Sequence, residues 1–292
     1  AGPAAAAPAL DAAQCGALLD LFQAQRHDEL LARLAALLER FPQAAFLWGL
    51  LGATQQAQGA DGLPALQRAV ALAPGDADAQ ANLGAALLEH GDLQAAAACL
   101  RTALERAPGK LAARINLAQT LRALGDASAA IDAYRDVLAR APASLDAHFG
   151  LLDLLLEGGQ AAAAESLARR ALELAPKHCV AHFCLGNVRQ QQGRLADALL
   201  CYQTALGLAP GFAPAASNLA CALLALGRRR EAEDVLLRSQ RLTPGHLDTA
   251  LNLARLYLEE DRFDAAEAVY RSALRVAPEG VAAREEIGRA HV

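Results

Sequence analysis

The sequence predicts an all-α solenoid of about seven to eight helix-turn-helix units, and three observations predict it. Proline recurs at Pro74, Pro108, Pro142, Pro176, Pro210, Pro244 and Pro278, each 34 residues after the last. Between the prolines a glycine interrupts the chain at Gly91, Gly125, Gly159, Gly193 and Gly227. Ala- and Leu-rich amphipathic stretches flank each glycine, as over 77–90. Glycine suits the left-handed turn that ends one helix, and proline cannot continue the next helix past its end. A fixed period built this way marks stacked helix pairs.

Each element follows from that frame. Residues 1–10 (AGPAAAAPAL) carry no charge and read as a flexible leader. With no Met at position 1 or elsewhere, the N-terminus reads as processed or trimmed. Residues 11–42 read as a diverged helix pair without the central Gly, a cap for an otherwise exposed hydrophobic face. The array itself runs over 43–278. Its first interval, Pro42 to Pro74, is two residues short, and Gly59, Gly62 and Pro64 place the deletion at the start of the second helix. Leu83, Leu117, Leu151, Leu185, Leu219 and Leu253 recur in the first helices, where they fill the seam between neighbouring units. Ala96, Ala130, Ala164, Ala198, Ala232 and Ala266 recur in the second helices, where a small side chain admits close approach. Residues 279–292 begin another first helix, with Ile287-Gly288 in the Leu-Gly place, and read as an incomplete repeat or cap.

The order of residues within a unit resembles the tetratricopeptide repeat (TPR). Over 177–210 it is His182, Leu185, Gly186, Gly193, Ala198, Tyr202, Ala205 and Pro210. The resemblance covers 43–278 and implies a right-handed superhelix whose first helices line a concave groove.

Composition narrows the function. The net charge of −5, without a basic stripe, argues against nucleic acid as partner. The apolar runs are too short to span a bilayer, so no membrane association is expected. The six cysteines fit no disulfide framework, which makes a reducing cytoplasm the default location. Abundant Arg beside only two Lys reads as a GC-rich bacterial genome.

On the groove the resemblance implies, Asn82, Asn116, Asn218 and Asn252 share one repeat position. Gly150 and Cys184 replace Asn in the two central repeats, with Asn187 three residues beyond Cys184. An amide both donates and accepts, so the column can hold a peptide main chain. This resembles the asparagine ladder in the TPR half of O-linked N-acetylglucosamine transferases. The plainer alternative is that these amides bond within the stack. Phe149 and Phe183, one repeat apart, read as an apolar pocket or as rings tucked into the seam. Asp78, Glu89, Asp146, Asp153, Glu157, Asp248 and Glu259 outnumber Arg122 and Arg255 on the groove. That excess predicts a neutral to basic partner, unless Asp78, Asp146 and Asp248 serve as helix caps. The groove lacks the lysines of the carboxylate clamp found in chaperone-binding TPRs.

His178, Cys179, His182 and Cys184 lie within seven residues, with both histidines on one helical face. No second His or Cys cluster completes a tetrahedral site, so metal and other cofactors are not expected. No phosphate loop, nucleophile elbow or spaced acid pair is present, and the chain reads as non-catalytic by itself. The reading is therefore a module that binds an extended protein or peptide segment in the concave groove. A second reading makes it the recruiting half of a larger glycosyltransferase, sulfotransferase or oxygenase, by analogy with arrays that precede such domains. A third is a scaffold that self-associates through the open helix at 281–292.

Overall fold

The computed structural model describes residues 10–276. Among them are sixteen α-helices and no strand, paired in chain order. The pairs are α1 (Ala12–Gln23) and α2 (His27–Arg40), α3 (Ala45–Ala57) and α4 (Leu63–Leu72), α5 (Ala77–Glu89) and α6 (Leu93–Arg106). They continue with α7 (Leu111–Ala123) and α8 (Ala127–Arg140), α9 (Leu145–Glu157) and α10 (Ala161–Leu174). The last are α11 (Cys179–Gln191) and α12 (Leu195–Leu208), α13 (Ala213–Ala225) and α14 (Arg229–Leu242), α15 (Leu247–Glu259) and α16 (Phe263–Val276). The expected leader, bar residue 10, and the helix expected at 279–292 lie outside the described residues.

Every turn inside a pair uses one device. Gly59, Gly91, Gly125, Gly159, Gly193 and Gly227 all have φ between 71° and 82°. The residue after the glycine then donates its N–H back across the turn, as Asp92 N does to Leu87 O at 2.9 Å. This satisfies a carbonyl the helix end would leave bare. The first and last pairs make the same turn without glycine, at Gln25 and Asp261, both at φ 56°. The shortened repeat is explained at α4, which has 10 residues where α6 has 14, behind a turn of five residues (58–62) rather than three (90–92). Pro64 sits in its first turn, where a missing N–H costs nothing.

The recurring alanines of the second helices (Ala96, Ala130, Ala164, Ala198, Ala232, Ala266) are all fully buried, and Leu83, Leu151, Leu185, Leu219 and Leu253 are buried beside them. Leu117 is only half-buried. The chain forms two compact units, Ala1–Ala147 and His148–Val292. In the first, a cluster around Leu18, Leu30, Leu34 and Leu47 closes the terminal pair, and a second joins Leu66, Leu83 and Leu87. In the second, one core runs from Ala198 through Leu219 and Leu236 to Tyr270.

First helices of successive repeats touch one another: α3 with α5 and α5 with α7 in one unit, α11 with α13 and α13 with α15 in the other. Among the described residues no pair of second helices is packed comparably. A stack that is tight along one row and splayed along the other curves toward the tight row, so within each unit the first helices form the concave face.

Candidate binding surface

In the first unit Asn82 is exposed on α5 and Asn116 half-buried on α7. Neither side chain makes a hydrogen bond within the described residues. Arg122 is half-buried near the end of α7. Beside Asn82 lies an open apolar depression of about 480 Å³, walled by Leu19, Phe22, Phe46 and Leu50 and edged by Asp78. Sequence reasoning missed it. The available signal was Phe46, which stands two residues before Trp48 as Asp78 stands two before Gln80.

In the second unit the amides are partly spent inside the stack. Asn218 Nδ2 donates to Asn187 Oδ1 at 2.8 Å, and Tyr202 Oη lies 2.9 Å from the same oxygen. Asn252 Nδ2 donates to Ser217 Oγ at 2.6 Å. Asn218 and Asn252 also line an open depression of about 500 Å³ on α13 and α15, with Ser217, Cys221, Asp248 and Arg255. Both the ladder and the intra-stack alternatives thus have a physical basis here, since each amide has more than one hydrogen-bonding position. Arg255 is exposed at this depression; Asp153, on α9, is half-buried and close enough to Cys184 to act on its charge.

The phenylalanines lie in the seam. Phe149 packs on the His178 ring at 5.3 Å between centroids, and Phe183 meets Phe212 edge-on at 5.2 Å. Both partners are the residue that precedes the next repeat's first helix. Both phenylalanines are half-buried. The acidic excess is smaller than the residue count implies: Asp78 pairs with Lys110, and Glu259 with Arg229 at 3.0 Å. Asp78 is no helix cap, because Asp76 accepts from the first amides of α5. His246, not Asp248, caps α15.

The His178–Cys184 cluster diverges. His178 precedes α11 under Phe149, while His182 Nε2 bonds the Pro176 carbonyl at 2.9 Å. Cys184 is buried, and burial pushes its thiol up to about 12. A thiol so buried is neutral at physiological pH and a poor nucleophile or ligand. Burial also raises Cys99, Cys201 and Cys221, and all six cysteines are free. Among the described residues no three His, Cys, Asp or Glu come together as a metal-binding group, and no helix is long and apolar enough to cross a membrane.

These features define a helical-repeat solenoid whose first helices present a continuous surface within each unit. The chain belongs to the tetratricopeptide repeat family: sequence profiles of the repeat match 87–133, 115–178, 179–212, 215–248 and 251–292. Proteins of this class bind other proteins along such surfaces. Solved structures agree on the fold. A tetratricopeptide repeat protein from Parabacteroides merdae superposes with TM-score 0.71 at 15% identity, over 86% of this chain and all of that one. Yeast Tom70 gives 0.71 at 15% identity, over 91% of this chain and 58% of Tom70. A chain of the APC/C hetero-tetramer Cut9–Hcn1 gives 0.64 at 20% identity, over 94% of this chain. This chain spans 54% of that relative's length. No curated protein matches it in sequence.

Proposed function

We propose that the concave face of the first helices binds an extended segment of a partner protein by its main chain, through amides that share one repeat position. The observation that carries this is the pair Asn82 and Asn116, at one register and without hydrogen bonds inside the described residues. Amides left so are poised for a ligand's N–H and C=O groups. Asn218 and Asn252 support the reading from the wall of an open depression. The segment is neutral to basic, because Asp248 and Arg255 balance on that wall, Asp78 and Glu259 are already compensated, and Asp146 has no cation bonded to it among the described residues. The chain acts by binding and not by turnover, consistent with thiols held neutral by burial.

The test is a peptide-display selection on the intact chain, followed by affinities for variants. Replacing Asn82 and Asn116 with Ala is expected to weaken the selected peptides by about tenfold or more, with helicity unchanged. Unaltered affinity would remove the amide column from the account.

A further inference from the structure

We propose that the outer gap between α12 and α14 is a second binding site, one that takes an acidic, apolar segment of a partner protein. Second helices form the outer row and meet water, so they carry charge: Glu165, Arg169, Arg170 and Glu173 on α10, Asp264, Glu267, Arg271 and Arg275 on α16. α12 departs from this, as the short α4 does with Arg68 alone: Asp197 is its single charged residue over LADALLCYQTALGL. A helix apolar on all sides is ordinarily covered on all sides. Yet Leu200 is 62% exposed and Leu208 41%, and Leu242 at the end of α14 is 49% exposed.

A concavity opens beside these exposed leucines. Between α12 and α14, over α13 as floor, lies a pocket of about 360 Å³. Leu206, Leu219 and Val235 give it apolar walls, and Gln203, Gly207 and Arg238 line it as well. At Gly207 the space a Cβ would take is empty to 4 Å. Leu200, Gln203 and Gly207 fall on one face of α12, and Arg238 and Leu242 on one face of α14. The pocket size suits anchoring side chains of a partner.

Charge selects the occupant. Arg238 is exposed and makes no ion pair within the described residues, unlike Arg228 with Glu231 and Arg229 with Glu259 on the same segment. A free guanidinium beside an apolar pocket calls for a carboxylate next to an apolar side chain. A concave site with defined walls fits a protruding side chain better than the flat surface of a bilayer. The proposal is independent of the concave-face reading. Together they make the chain an adaptor that holds two partners of unlike chemistry on opposite rows of helices.

The test uses the full chain and a short fluorescein-labelled peptide that interleaves Leu and Phe with Asp and Glu, against a counterpart with Lys and Arg. The acidic peptide is expected to bind and the basic one not. Arg238→Glu and Leu200→Ser are each expected to weaken binding by about tenfold or more, with the circular dichroism spectrum unchanged. Leu200 is exposed enough to accept Ser without unfolding, and Arg238, on the pocket wall, is exposed as well. Equal affinity for both peptides, or indifference to Arg238→Glu, would overturn the proposal. So would a concentration-dependent dimer abolished by Leu200→Ser, or binding to phosphatidylserine vesicles without binding to the peptide. Asn82→Ala with Asn116→Ala leaves this binding unchanged, so the two sites fail or stand separately.

Discussion

At the scale of single residues, the fit between paired helices rests on exchanged volumes. Gly186 faces Tyr202, and a Cβ on Gly186 would stand inside contact distance of three ring carbons. Gly84 meets Leu100 and Gly52 meets Leu66 in the same way, each with a leucine Cγ 2.6 Å from the hypothetical Cβ. Gly186→Ala is expected to cost about 1–3 kcal/mol, read from the urea midpoint, because a rigid buried ring cannot yield. Gly84→Ala costs less, since Leu100 can change rotamer; an equal loss at both sites would contradict this. Gln25 and Asp261 spend about 1–2 kcal/mol in the left-handed region. Gln25→Gly is accordingly expected to raise the melting temperature. The glycines at the turns were legible in the sequence because period and residue type coincide there. The matching turns at Gln25 and Asp261 were not, because neither residue announces a positive φ.

At the scale of elements, one position does a job its residue type conceals. Six residues after each of four prolines, a side chain donates to that proline's carbonyl. Trp48 Nε1 reaches Pro42 O at 2.9 Å, Gln80 Nε2 reaches Pro74 O at 3.0 Å and Arg114 reaches Pro108 O at 2.6 Å. His182 reaches Pro176 O at 2.9 Å. The bond ties the end of one repeat to the first helix of the next. The sequence pattern reads as a place for an aromatic or His ring; what persists is a donor of sufficient reach. His182→Phe is expected to lose about 0.5–1.5 kcal/mol and His182→Gln to retain most of it, by urea unfolding. If Phe matched the native chain, packing rather than the bond would be responsible. The helix pairs and their order were legible from the 34-residue period. The seam position of Phe149 and Phe183 was legible only as one of two alternatives, because a period places a residue on a helix without fixing its rotamer or neighbour.

At the scale of the whole molecule, two properties follow from the buried polar groups and from the two rows of helices. The Cys184 thiol, ordinarily near 9, stands at about 12 in the folded chain, and burial also pushes the Tyr202 phenol up. Both groups are uncharged when protonated, so the folded state favours the protonated form. Their contribution is whole below pH about 9, and stability then falls progressively as pH climbs toward 12. Cys184→Ala is expected to flatten part of that alkaline slope in a plot of unfolding free energy against pH. Within each unit the two rows divide the chemistry. Amides stand on the inner row of both, and in the second unit a gap lined by Leu206, Val235 and Arg238 opens on the outer one. The central claim is that the inner row recognises a peptide main chain. It is tested most directly by the side-chain amide resonances of Asn82 and Asn116, both within the first unit, during titration with a display-selected peptide. Both amides are expected to shift at saturation while α6 and α8 stay unperturbed; shifts confined to the second helices, with both amides unmoved, would contradict it.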